Sequence, residues 1–497
     1  MTKLGVWEMA GAVLSLWAAT AIAAPAQTFT KLANFEGTDG GSPISVSLVQ
    51  GIDGAFYGTT ALGGDEGVCN SGCGTVFKIT SSGTLAAFDL NVTNGLEPLA
   101  GLLLATNGHF YGTAALGGAS GGGTIFEITA AGQLIAYYNF CTEMFGCPNG
   151  YGFDPMAAVI QAVDGSFYGT TLLGGNRETC PGAGCGTVFQ LTPTGALTTL
   201  YSFCSQTNCT DGSLPDAGLI QASDGDFYGT TYGGGSKDEG TIFKITEEGT
   251  LTTLHSFDGN DGINPHWGLL QAIDGNFYGT TNEGGTYAYG TIFEVTPNGA
   301  FSTLYNFCSQ INVQGYCADG SSPGGLVQAT DGSLYGLTLT GGANNDGTIF
   351  RITTGDALTT LYSFCSQPTC TDGSSPSGAL LQATNGNFYG TTTSGGDPTC
   401  QVHSSVGCGT VFSLSTGLGP FVTFVRPAGR VGHTGPILGQ GFTGTTSVSL
   451  NGTPASFTVV SDTFINATVP VGGTTGFVTV TTPSGTLTSN VPFRVIP

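Results

Sequence analysis

Five aspartates, Asp39, Asp211, Asp261, Asp319 and Asp372, each stand four residues ahead of a proline, and Asn94 does the same. A longer version runs from Asn149 to Pro155. Carboxylates brought together from such loops could bind Ca²⁺ or a sugar. The same residue types also cap turns through their own backbone, with proline starting the next strand, and turn chemistry alone accounts for them. A second recurrent side chain is an amide, at Gln50, Gln161, Gln221, Gln271, Gln328 and Gln382, with Leu104 at the matching place in one copy. These amides are candidates for a ring along a central channel. The need of an inner strand edge to find partners for its backbone favours a structural role for them.

Fourteen cysteines fall into neighbouring pairs: Cys69–Cys73, Cys141–Cys147, Cys180–Cys185, Cys204–Cys209, Cys308–Cys317, Cys365–Cys370 and Cys400–Cys408. An even count without zinc-knuckle spacing reads as disulfides in an oxidising compartment, and no metal site is expected from them. The histidines, His109, His255, His266, His403 and His433, share no spacing, and only His266 and His403 fall in loops assigned to one face. The run from Gly118 to Gly122 fits the nucleophile-elbow pattern but sits between two strands, without the strand-to-helix turn that gives the motif meaning. No lysine follows a glycine run suited to cradling phosphates. No catalytic residue is assigned.

These residues hang on a repeat. The segment Gln271-Ala-Ile-Asp-Gly-Asn-Phe-Tyr-Gly-Thr-Thr281 is written seven times, with its tyrosine at Tyr57, Tyr111, Tyr168, Tyr228, Tyr278, Tyr335 and Tyr389. In the fifth copy the β-like segments are Gly268–Ala272 (A), Asn276–Thr281 (B), Gly290–Thr296 (C) and Ala300–Phe307 (D). The Asp-Gly between A and B marks a hairpin. Four short antiparallel strands repeated seven times predict an all-β, seven-bladed β-propeller over residues 28–416. A lone D-type strand, Thr28–Phe35, precedes the first A, and no D follows the last C. Closure of the last blade by the N-terminal strand balances the count and hides two open sheet edges. In an antiparallel blade the B–C and D–A connections share one face, which then carries every cysteine pair and the Asp ring. Long, stapled loops on a rigid scaffold make that face the expected binding face.

The pattern GLLQAxDGNFYGTTxxGG…GTIFxIT…LTTLYSF resembles the Gloeo_Verruco (GloVer) tandem repeat of exported bacterial proteins, across Thr28–Thr416. The resemblance implies export and surface presentation, and no particular activity. After a Gly417–Gly419 linker, residues 420–497 alternate strands with Gly, Pro and Asn turns, as a small β-sandwich does. This segment resembles the IPT/TIG immunoglobulin-like domains, which implies a spacer, interaction or dimerisation module.

Composition narrows the partners. Acidic residues outnumber basic ones 33 to 10, for a formal charge of −23, so there is no basic stripe for nucleic acid. Met1–Ala26 reads as a signal peptide, with Lys3 before an apolar stretch and Ala21-Ile-Ala23 offering a cleavage site. No transmembrane segment is expected once it is removed. The expectation is a secreted or cell-surface, non-enzymatic protein that binds an unknown glycan or protein ligand. An enzyme should break the repeat symmetry in one or two loops, whereas the copies look near-uniform. The alternatives are a carbohydrate-active lyase or hydrolase at the channel mouth, and a calcium-stabilised structural module.

Overall fold

A computed structural model describes residues 27–496 apart from 66, 68, 70, 142–149, 179, 354, 356 and 403–404. The expected signal segment, Cys147 and His403 therefore lie outside the described residues. What is described is almost wholly β. Six successive four-stranded antiparallel sheets are each ordered A-B-C-D along the chain. The fifth runs Leu270–Gln271, Phe277–Thr281, Thr291–Val295 and Phe301–Asn306. The seventh takes B and C from Phe388–Ser394 and Thr410–Ser415, and its outer strand is the N-terminal Thr28–Asn34, paired antiparallel with C.

Successive residues of a strand face opposite sides of its sheet, and this divides the work of Phe-Tyr-Gly. The tyrosine of one sheet packs on the phenylalanine of the next: Tyr57 on Phe110, Tyr168 on Phe227 and Tyr228 on Phe277, with ring centroids 4.1–4.2 Å apart. The series returns on itself, since Tyr389 of the seventh sheet lies 4.0 Å from Phe56 of the first. The glycine makes room for a neighbour. A Cβ on Gly229 would sit 2.7 Å from the Phe243 ring on strand C and 2.9 Å from Leu219 on strand A.

The A–B turn differs in detail from a two-residue hairpin with both central φ angles positive. In the fifth sheet Ala272 and Asn276 close a three-residue loop, and only Gly275 is left-handed, at φ 88°. Asp274 is needed for its side chain: Oδ1 accepts from Asn276 N at 3.0 Å and Oδ2 from the Tyr278 hydroxyl at 2.8 Å. That pair of bonds explains the fixed Asp-Gly-x-Phe-Tyr spacing.

Residues 420–496 form two four-stranded sheets and a short parallel pair, closed around Val422, Ile437, Phe442, Ile465, Val480 and Phe493. This unit sits on the A–B turns of the repeat region. Arg494 Nη1 donates to Ser223 O (2.7 Å), Thr463 Oγ1 to Ile52 O (2.8 Å) and Arg426 Nη1 to Val163 O (3.2 Å). Leu438, Val425 and Phe464 join the apolar cluster of Tyr57, Leu104 and Phe110. The copy that carries Leu104 in place of glutamine is thus where the C-terminal unit seats an apolar contact. Leu104→Gln is expected to cost about 1–3 kcal/mol by burying an amide there. The check is limited proteolysis, which should cut the Gly417–Gly419 segment faster in the variant; an unchanged rate would contradict this role of Leu104.

Six disulfides lie among the described residues, each within a single B–C or D–A connection. Among the described residues no helix is long and apolar enough to cross a membrane.

Candidate functional site

Both recurrent sets of polar side chains turn inward. Asp372 Oδ2 accepts from the Tyr362 hydroxyl (2.7 Å) and Ser366 N (2.9 Å), and Oδ1 from Gln367 N (3.1 Å). Burial pushes this carboxyl up, but these bonds outweigh it and hold its pKa below the usual value. Asp211 takes Tyr201 and Ser205, and Asp319 takes Tyr305 and Ser309, in the same manner. His255 fills the tyrosine position for Asp261, at 2.7 Å, while Asp39 accepts from Glu36 N at 2.7 Å. Asp211, Asp319 and Asp372 are almost wholly buried. Each of the five aspartates therefore accepts bonds from its own loop. The glycine after each allows close approach: a Cβ on Gly212 would lie 2.5 Å from Thr231.

The glutamines clamp one sheet to the one before it. Oε1 of Gln161, Gln221, Gln271, Gln328 and Gln382 accepts from the A–B turn N–H of Thr106, Val163, Ser223, Ile273 and Thr330 in turn. Gln50 accepts from Thr384 N at 3.0 Å, which joins the first sheet to the seventh. Their polar groups serve the backbone. Below them a cavity of about 300 Å³, lined by Leu48, Leu102, Val327 and Leu380, is floored by Phe424, Val425 and Leu438 of the C-terminal unit.

The opposite, disulfide-bearing side is open. There a second cavity of about 370 Å³ is lined by Ile44, Ser45, His266, Trp267, Asn282, Ser322, Leu339 and Ser394, among others. Two places in the repeat supply most of this wall. One follows the proline ahead of strand A and is occupied by Ile44, Leu99, Met156, Asp216, His266, Gly324 and Ser377. The other lies four residues after the strand-B tyrosine and is occupied by Ala61, Ala115, Leu172, Tyr232, Asn282, Leu339 and Thr393. Nearly every copy differs at these places, so the repeat breaks its symmetry at the mouth.

The local backbone is unusual as well. The residue before that proline is left-handed in every sheet: Ser42, Glu97, Asp154, Leu214, Asn264, Ser322 and Ser375 have φ between 50° and 63°. A residue preceding proline ordinarily adopts extended backbone, so each of these is held by its neighbours. Asn264 shows how: its N–H donates to Glu239 O of the preceding sheet, and its carbonyl accepts from Asn282 N. Asp154 sits in this ring beside Glu97, and burial, with the Glu97 charge adding to it, lifts its pKa to about 6.

His266 is the chemically distinctive member of the wall. Its Nδ1 lies 2.5 Å from Asp216 Oδ2, and the Asp216 side chain is only 6% exposed. Asp216 Oδ1 is buried without a partner among the described residues. Burial lowers the His266 pKa, yet the Asp216 hydrogen bond and charge outweigh burial and hold it above its ordinary value. A raised folded-state pKa stabilises fully below the unfolded value of about 6.5 and less as pH rises through the folded value. The stability advantage of the native protein over His266→Gln, from urea unfolding at pH 5.5 to 9, is accordingly expected to shrink with rising pH. An advantage that grows with pH would contradict the pairing.

Sequence reasoning singled out His266 only by its loop and passed over Asp216, Trp267 and Asn282. The other described histidines lie elsewhere: His109 pairs with Glu127, His255 stacks on Phe301, and His433 belongs to the C-terminal unit. The Gly118–Gly122 run leads from a turn into the strand Gly121–Ile128 and meets no helix.

The sequence matches the Gloeobacter/Verrucomicrobia repeat over residues 11–151, 145–317 and 310–445. No curated protein matches it. Among solved structures it is similar to the extracellular domain of a hybrid two-component system from B. thetaiotaomicron, at 11% identity and a TM-score of 0.48. That likeness covers 95% of this chain and 58% of the other. A fungal alcohol oxidase of the AA5 family in complex with copper gives 13% identity and a TM-score of 0.48, over 95% and 99% of the two chains. A luciferin-regenerating enzyme gives 12% and 0.39, over 80% and 98%. At such identities no activity transfers to this chain.

Proposed function

The chain belongs to the Gloeobacter/Verrucomicrobia repeat family, and from that premise we propose that it is an exported, non-enzymatic binding protein whose ligand enters the open mouth. In this reading residues 1–26 are a signal peptide and residues 28–416 a seven-bladed propeller. A linker at 417–419 leads to an immunoglobulin-like domain of the IPT/TIG kind at 420–497. The disulfides suit a secreted or cell-surface protein. One observation carries the binding reading: near-identical repeats diverge at the two places that wall a cavity of about 370 Å³. Volumes of about 300–1,000 Å³ are usual for small-ligand pockets. The opposite end of the channel is occupied by the C-terminal unit, which leaves the stapled side as the approach.

A second reading, a carbohydrate-active lyase or hydrolase at the mouth, draws on the His266–Asp216 pair and on the same break in repeat symmetry, which is the mark expected of an enzyme. A histidine held through Nδ1 by a carboxylate leaves Nε2 for general-base work. Among the described residues lining the cavity, however, there is no carboxyl group to serve as its acid partner. A calcium-stabilised module would draw on the Asp ring, whose oxygens, apart from the buried Asp319 Oδ1, are largely directed at their own loops. The test is a panel of immobilised glycans and peptides probed with the native protein and with Trp267→Ala, followed by product analysis of whatever is retained. Retention lost in Trp267→Ala, with the ligand intact, supports binding. Cleaved ligand would overturn the non-enzymatic reading in favour of the second.

A further inference from the structure

We infer that the mouth cavity takes the end of a neutral saccharide, an inference that rests on the mouth being the binding site. The argument begins with hydrogen-bonding capacity. Elsewhere in the repeats the recurrent Asp, Gln and Thr side chains bond to protein: Thr60, Thr171, Thr231, Thr281, Thr338 and Thr392 each pair with a threonine of strand C. In the mouth wall only Ser42, Ser377 and Thr393 keep to this pattern, through bonds to or from backbone groups. Among the described residues nothing bonds the Asn282 amide, the Trp267 indole N–H, His266 Nε2, or the Ser45, Ser322 and Ser394 hydroxyls, all on the cavity lining.

These free groups mix donors and acceptors, and they are interleaved with the apolar surfaces of Trp267, Leu339 and Ile44. A sugar ring presents the same mixture, hydroxyls around its rim and C–H groups on its faces. A purely apolar ligand would strand the free polar groups without partners, which is costly. An anion would meet no free cation, since no Lys or Arg lines the cavity and Asp216 already offsets His266. The chain's formal charge of −23 further disfavours anions. A cation would find no carboxyl group on the lining. A neutral polar ligand is the class left, and within it the sugar ring is the one whose hydroxyl rim and C–H faces match the interleaved lining. Because residues 420–496 floor the channel, a glycan cannot thread through it, and a chain end is what fits.

Saturation-transfer NMR on the native protein and on Asn282→Trp, which fills the cavity, tests this. The probes are methyl glycosides of neutral hexoses, oligosaccharides of the same sugars, the matching hexuronic acids, and a set of small non-sugar fragments. Ser394→Trp serves as the second variant, and circular dichroism checks that each folds. The expected result is that neutral glycosides bind the native protein, that uronic acids bind about tenfold more weakly, and that both variants lose the signal. Oligosaccharides that bind more tightly than the glycosides point to a glycan end as the source, and equal binding points to the free sugar; either outcome supports the class. Uronic acids that bind as well as neutral sugars would overturn it. Non-sugar fragments lost in both variants while no glycoside binds would overturn the saccharide and leave the mouth as the site. No probe sensitive to either variant would overturn both.

Discussion

Removal of Thr28–Phe35, the N-terminal strand Thr28–Asn34 with the phenylalanine that follows it, is expected to abolish cooperative folding of the intact chain or to leave it aggregating. That strand is the outer member of the seventh sheet and pairs with Thr410–Ser415 from Thr28↔Ser415 to Asn34↔Thr410. It also carries Phe29, stacked on Tyr362 at 3.9 Å, and leads into the fully buried Phe35, which meets Phe77 at 5.0 Å. Burial of each such side chain contributes about 1.5–3 kcal/mol. Two aromatics together with Leu32 approach the whole stability of an ordinary domain, about 5–15 kcal/mol. The deletion additionally bares the Thr410–Ser415 edge as a template for association. Thermal unfolding followed by circular dichroism and light scattering checks this. A deletion variant that stays monomeric with an unchanged melting temperature would show that the series of sheets does not depend on the strand.

Phe243→Ala carries the next largest effect, an expected loss of about 3–5 kcal/mol. Phe243 is fully buried, faces Gly229 across strands B and C, and meets Phe203 edge-on at 5.2 Å. Gly229→Ala approaches the same pair from the other side and should cost about 1–3 kcal/mol through overpacking. Combining Gly229→Ala with Phe243→Leu should recover part of that loss, because a smaller side chain frees the space the Cβ needs. Urea unfolding of the three proteins decides the matter. A neutral Gly229→Ala would mean that the glycine is present for some reason other than this contact.

The strands were legible in the sequence because their signals are local. Asp-Gly, Phe-Tyr-Gly and the Asp-to-Pro spacing each act within a few residues, as Asp274 does on Asn276 and Tyr278. The unmatched Thr28–Phe35 segment foretold the pairing with strand C of the seventh sheet by counting alone. The glutamines were legible only in kind: an amide near an inner strand needs a backbone partner. That the partner of Gln221 would be Val163, one repeat earlier, follows from sheet stacking and from nothing near Gln221. The seat of the C-terminal unit on Leu104 was hidden for the same reason. The mouth was least legible, since Asp216, His266, Asn282 and Leu339 are far apart in sequence and share no motif. Their signal was negative, two places where otherwise similar copies disagree, and a reading built on what recurs passed over it.

The central claim is that recurrent polar residues belong to the fold, whereas those that break the repeat at the mouth belong to the ligand. Stability to urea of Asp372→Ala and Asn282→Ala, measured against the native protein, tests it most directly. Asp372→Ala leaves the Ser366 and Gln367 N–H groups without an acceptor, takes one acceptor from the Tyr362 hydroxyl, and is predicted to lose about 1–3 kcal/mol. Asn282→Ala removes a side chain bonded to nothing among the described residues and is predicted to stay within about 0.5 kcal/mol. A loss from Asn282→Ala that equals or exceeds the loss from Asp372→Ala would contradict the division.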